Sequence, residues 1–104
     1  MAEYFSYKFV AEVKPLSFDF SQTLAAGETL STASCSVLVI DGVDASPSGV
    51  LSGSATIVGN KVYQQVQSGV AGVTYRLVMT VTTSAGSTLV ALGDLPVYST
   101  TEVQ

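Results

Sequence analysis

From Val73 to Thr82 the chain alternates without a break. Val73, Tyr75, Leu77, Met79 and Val81 fall on one side, and Thr74, Arg76, Val78, Thr80 and Thr82 on the other. A side-chain period of two marks a strand with one face in a core. The turn Ser84-Ala85-Gly86 follows, with Gly86 free to adopt positive φ, and residues 89–92 and 95–97 return as the next strand. Gly93-Asp94 reads as a bulge or bend within that return. The stretch from Gly69 to Val97 is therefore an antiparallel pair with no obvious chemistry of its own. A sheet built on it must bury one face against another layer.

The rest of the chain repeats the pattern. Leu16, Phe18 and Phe20 alternate with Ser17 and Asp19 after Pro15, which marks a strand boundary or edge. Thr23 to Ala26 hints at a single helical turn, and Gly27-Glu28 is a turn signal. Thr29 to Ile40 reads as a long strand, with Ala33, Cys35, Val37 and Val39 on one face. Its second face turns apolar at Leu38 and Ile40. Asp41-Gly42 ends it and opens a surface loop that runs to Ser54, with a short strand at Val50-Leu51. Ala55–Val58, the turn Gly59-Asn60 and Lys61–Gln67 form a hairpin whose Val62, Gln64 and Val66 face is only partly apolar. About seven antiparallel strands in about 100 residues suit an all-β, immunoglobulin-like β-sandwich. Tyr75, near the start of the penultimate strand, is expected to hydrogen-bond back to the loop before it. The expected division is an extended N-terminal arm or edge strand over residues 1–14, the Ig-like sandwich over 15–99 and a short polar tail over 100–104.

Length and composition narrow the function. The 104 residues make one domain, 47% hydrophobic and only 12% charged, against about 25% charge in a usual globular chain. Such a surface of Ser, Thr and Gly costs little to desolvate and suits protein–protein contact. Net charge is -4, and Lys8, Lys14, Lys61 and Arg76 are scattered, so no basic patch faces a nucleic acid. No window approaches the about 20 apolar residues of a spanning helix, and Met1 to Phe9, with Glu3, lacks the pattern of an export leader. A soluble protein with no membrane and no direct nucleic-acid partner is expected. The single cysteine excludes an internal disulfide and favours folding in a reducing cytoplasm.

Candidate chemistry is sparse. Cys35 lies in an apolar strand and, with no histidine in the chain, lacks the usual base; it reads as a small core residue. Asp41 and Asp44 offer two carboxylates where calcium takes six to eight oxygens, so a solvated turn is the better reading. Asp19 with Glu28, or Glu12 with Asp94, pair only on paper as glycosidase carboxylates. No metal, cofactor or catalytic residue is expected. The aromatics divide: strand residues supply core volume, whereas Tyr4, Phe5, Tyr7 and Phe9 crowd the arm and favour contact. Tyr4, Phe5, Tyr7, Tyr63 and Tyr98 are the set that a sugar-stacking face would draw on.

The segments KPLSFDFSQTLAAGETLSTASCSV and SATIVGNKVYQQVQSGVAGVTYRLVMTVTTSAGSTLVALGDLPV carry a family pattern. Lys14-Pro15, Phe18-Asp19-Phe20-Ser21, the turn Gly27-Glu28-Thr29-Leu30, and Gly69, Gly72, Tyr75, Thr82, Thr83 and Gly86 stand in its order. The chain, over about residues 14 to 98, resembles small Ig-like virion proteins of tailed bacteriophages, the fiber-tail adaptor or neck-associated group. It departs where Phe20 and Cys35 replace tryptophans and where Ser87, Thr88 and Leu89 replace polar or charged residues.

The resemblance implies a non-enzymatic structural component of the virion, made in the bacterial host cytoplasm and placed at the neck or upper tail. It implies a homo-oligomeric ring on a portal, connector or tail protein, with a tail fiber as partner. Tyr75, Gly72, Gly86, Phe18, Phe20 and Cys35 are then the fold-defining positions. Tyr4, Phe5, Tyr7, Phe9, Asp41, Asp44 and Pro47 are the candidate interface, with the arm as an intersubunit strap and the loop from Asp41 to Ser54 meeting fiber or capsid. The competing readings are a capsid decoration protein and a carbohydrate-binding or adhesive Ig-like domain. A small enzyme has few players for acid–base work.

Overall fold

In the computed structural model, residues 2–4 and 8–99 are described, and they are predominantly β. Eight strands follow in order: β1 (Ala2–Tyr4), β2 (Lys8–Phe9), β3 (Lys14–Asp19), β4 (Leu30–Asp41), β5 (Leu51–Val58), β6 (Lys61–Val66), β7 (Thr74–Thr83) and β8 (Thr88–Tyr98). One sheet runs β1-β8-β7-β4, with β2 also on β8; the other runs β3-β6-β5. The two pack on a common core.

The β7 alternation is the spine of that core. Tyr75, Leu77, Met79 and Val81 are fully buried, and they meet Phe18, Val62 and Val66 from the smaller sheet. Burying each such aliphatic or aromatic side chain contributes roughly 1.5–3 kcal/mol. The hairpin turn forms as the sequence predicts: Gly86 has φ 87° and its N–H donates to the Thr83 carbonyl at 3.0 Å. A second bond ties the hairpin end to the earlier Gly27 turn. The Ser84 N–H donates to the Thr29 carbonyl at 2.8 Å, and the Thr29 N–H to Ser84 Oγ at 3.0 Å.

Two expectations are corrected. Gly93-Asp94 forms no bulge: β8 is continuous, and Leu77 faces Gly93 and Arg76 faces Asp94 in unbroken register. The carboxylate that suggested a break is neutralised by the arginine across from it. The loop after Asp41 is shorter than Ser54, because a 3-10 turn over Pro47–Val50 buries Val50 and β5 starts at Leu51. The Val62, Gln64 and Val66 face, partly apolar as expected, is wholly buried. Gln64 is admitted because β5 is irregular opposite it, between Ser52 and Thr56. Its Nε2 lies within hydrogen-bonding distance of the carbonyls of Gln65, Gly53 and Ser52, at 2.9, 3.2 and 3.4 Å. Pro15, read as a boundary or edge residue, is the second residue of the edge strand β3, opposite Gln65. An edge strand tolerates a residue without an N–H.

The arm docks on its own chain. β1 pairs with β8 in parallel, Ala2 to Leu92 through Tyr4 to Asp94, and β2 pairs Lys8 with Val97 and Phe9 with Tyr98. Among the described residues no helix is long and apolar enough to cross a membrane.

Candidate interaction surface

Tyr75 organises one end of the molecule. Its ring is fully buried on β7, and its hydroxyl accepts from the Val70 N–H at 2.7 Å, in the loop before the strand, as its position predicts. The same hydroxyl donates to Asp44 Oδ2 at 2.7 Å. Burial, with Asp44 adding to it, pushes the phenol up to about 12. Asp44 is thus not the solvated turn residue that its loop position suggests. Its other oxygen accepts from the Ser46 N–H at 2.9 Å, and the Tyr75 bond holds its carboxyl below the ordinary carboxylate range.

The two loops that meet at this hydroxyl have little freedom. At Gly42 φ is +93°, and a Cβ would lie 2.9 Å from Val73 Cγ2 and 3.1 Å from the Gly72 carbonyl oxygen. Only glycine fits that approach without displacement. Gly72 has φ 85° and donates to the Val97 carbonyl at 2.9 Å. Above this braced pair of loops Val43 is 85% exposed and Val70 44% exposed. Asp41 is exposed at the end of β4, opposite Thr74, and Pro47 is half-buried as the first residue of the 3-10 turn.

The arm is latched by a residue that sequence reading treated only as one of four scattered cations. Lys8 is fully buried. Its ammonium donates to the carbonyls of Phe9 at 2.8 Å, Val10 at 3.0 Å and Ser68 at 2.5 Å. Burial lowers its pKa, opposed by the charge of Glu12. Ser68 has φ 50°, the only described non-glycine residue in the left-handed region, and so the bond meets a constrained turn. The Phe9 N–H donates to Glu12 Oε1 at 2.8 Å, and the Glu12 N–H returns to the Phe9 carbonyl at 3.0 Å. Phe9 itself is half-buried beside Tyr98. The side chains of Tyr4, Phe5 and Tyr7 lie outside the described residues.

Arg76 and Asp94 form the second feature missed. Nε and Nη2 donate to the two carboxylate oxygens at 2.7 and 3.0 Å, with Asp94 almost wholly buried and Arg76 about one third exposed. The arginine holds the Asp94 carboxyl below its usual range. The pair sits on the outer face of the five-stranded sheet, in the same row as Leu38. Leu38, Ile40 and Val90 are exposed on that face.

The remaining candidates are placed plainly. Phe18 and Phe20 are in the core. Cys35 is only partly buried, because β4 is a sheet edge, and burial pushes its thiol up to about 11. Asp19 accepts from the Ser21 N–H, and Glu28 accepts from the Thr83 hydroxyl and the Ala25 N–H, so each carboxylate serves a turn. Tyr63 and Tyr98 lie on the outer faces of different sheets and do not make one stacking platform. Among the described residues no three His, Cys, Asp or Glu side chains cluster to hold a metal.

What this arrangement offers is shape: braced loops, a latched arm and an outer sheet face whose one described ion pair is Arg76–Asp94. The profile of the family described as "Podophage GP4 fiber-tail adaptor protein gp77" matches residues 8–92. Among curated proteins no match is found. The match runs from the arm latch at Lys8 through the Tyr75 brace and most of the β7–β8 pair. The chain therefore belongs to the podophage fiber-tail adaptor family and is a non-enzymatic structural component of the virion, in its neck and tail region.

Proposed function

We propose that the protein is an Ig-like sandwich that builds a homo-oligomeric ring on a portal, connector or tail protein and helps attach fibers there. The body is residues 15–99, with the arm 1–14 and the tail 100–104 as its extensions. The observation that carries the reading is the family match over residues 8–92. The two-sheet core and the tyrosine bonded back to the preceding loop support the Ig-like form.

Within this reading the loop after β4 is the contact with the fiber or capsid. Val43 is a large apolar side chain held out in water by a rigid base, through Gly42 on one side and Asp44 on the other. A pre-ordered apolar tip loses little entropy when a partner covers it. Val43→Asp is expected to leave the unfolding free energy within about 0.5 kcal/mol, as an exposed substitution should. The same variant is expected to reduce the number of fibers per particle. Particles with wild-type fiber occupancy would remove the loop from the fiber contact.

A further inference from the structure

The end of the molecule that holds the Tyr75 hydroxyl gathers exposed apolar side chains. In the larger sheet Asp41, Thr74 and Pro96 lie in register there, and in the smaller sheet Lys14, Val66 and Leu51. Residues 67–73 join the two: the Gln67 N–H donates to the Val50 carbonyl at 2.8 Å and the Gly72 N–H to the Val97 carbonyl at 2.9 Å. Among the described residues eight large apolar side chains are exposed, and Val10, Val13, Val43 and Val70 stand in the connections at this end. The connections at the opposite end, residues 20–29, 59–60 and 84–87, hold none of them. Two buried polar groups fasten three of the apolar connections together. The Lys8 ammonium joins the Val10 carbonyl to the Ser68 carbonyl. Two residues on, the Val70 N–H meets the Tyr75 hydroxyl, which donates to Asp44 beside Val43. Val10, Val70 and Val43 thus stand on one continuous brace, and a surface ordered in advance loses little entropy when it is covered.

We propose that Val10, Val43 and Val70 form one seat for a fiber segment that is apolar at its centre and carries lysine or arginine at its edge. The inference rests on the reading of the loop after β4 as the fiber contact. The basic character follows from charge. Residues 10–13, 42–50 and 67–73 hold two carboxylates, Glu12 and Asp44, and no lysine or arginine. Asp41 adds a third carboxylate, exposed at the border. Of the two lysines nearby, Lys8 is buried and Lys14 lies 3.8 Å from Glu12. The seat therefore offers apolar contact beside an excess of negative charge, and complementary charge selects a partner. The chain itself supplies no complement. A second copy has net charge -4 and scattered cations, and residues 100–104 carry Glu102 and no cation.

Counting fibers by electron microscopy and adaptor copies by quantitative mass spectrometry on the same virions tests this. Val10→Lys, Val70→Lys and Asp41→Lys are each expected to keep the wild-type number of adaptor copies and to lose fibers. Val58→Lys, at an exposed valine of the opposite end, is expected to keep both. Fibers lost from Val43→Asp but retained by Val10→Lys or Val70→Lys would overturn the seat and leave the loop reading standing. Full fibers on Val43→Asp would remove both. Full fibers on Asp41→Lys would overturn the basic partner, and loss of fibers from Val58→Lys would overturn the choice of this end. Adaptor copies lost together with fibers, from a Val10 or Val70 variant that unfolds at the wild-type midpoint, would overturn the proposal by turning this end toward the portal, connector or tail protein. Where a lysine lowers the midpoint, Val10→Ser or Val70→Ser takes its place and is read in the same way.

Discussion

Tyr75→Ala is expected to cost about 3–5 kcal/mol, and Tyr75→Phe about 1–3 kcal/mol. The first figure follows from deleting a fully buried ring at the centre of β7. The second isolates the hydroxyl, whose loss leaves the Val70 N–H and the Asp44 carboxylate without their shared partner. Denaturant unfolding at constant slope measures both. At about 4–8 °C per kcal/mol for a domain of this size, the phenylalanine variant melts visibly earlier. The hydroxyl also predicts an alkaline response. An unfolded tyrosine loses its proton near 10, whereas Tyr75 holds it to about 12. The folded state then binds more protons, so this contribution is complete below pH 10 and is lost as pH rises toward 12. Cys35, pushed up to about 11, acts in the same direction from about 9. Lys8, whose pKa is lowered, acts oppositely below its unfolded value. The wild-type minus Tyr75→Phe difference separates the phenol from both, and a flat difference across pH 9–12 would contradict a phenol raised by burial and Asp44.

Arg76→Met is expected to cost about 3 kcal/mol, because it strands the Asp94 carboxylate in a buried position. The partial exposure of Arg76 places the effect toward the lower end of that class. Combining it with Asp94→Leu should restore most of the loss, since an apolar pair of similar size removes the uncompensated charge. A double-mutant cycle on unfolding free energies reads the coupling directly. The acid limb follows from the same pair. Asp94 is held below its unfolded value near 3.9, so its contribution is present above that pH and fades as pH falls through the folded value. The double variant should therefore resist acid better than wild type does. Equal acid sensitivity of the two would show that the ion pair is worth little.

The β7 alternation and its turn announce themselves in sequence because period-two patterning and a glycine at positive φ are local signals. Tyr75 is legible for the same reason, since its bond is to the loop just before it. The Arg76–Asp94 pair was also within reach. Both lie nine positions from Ala85, so the hairpin register sets them opposite each other. Reading Gly93-Asp94 as a bulge hid that count. Gln64 was not legible, because its partners are carbonyls exposed by an irregularity in another strand. Lys8 was hidden more deeply. A lysine among aromatics reads as a solvated charge, and only the parallel docking of the arm brings it to the Ser68 carbonyl, sixty residues away. Asp44 was misread because the tyrosine that claims it lies thirty-one positions on. Local pattern thus reveals strands and turns, while the polar bonds that brace the loops and the arm depend on tertiary placement.

The central claim is that this chain is the adaptor through which fibers join the virion. Electron microscopy of particles produced without its gene tests it most directly. The expected result is filled heads whose necks or upper tails lack fibers, with fibers restored when the chain is supplied in trans. Particles with normal necks, tails and a full set of fibers in the absence of the protein would contradict it.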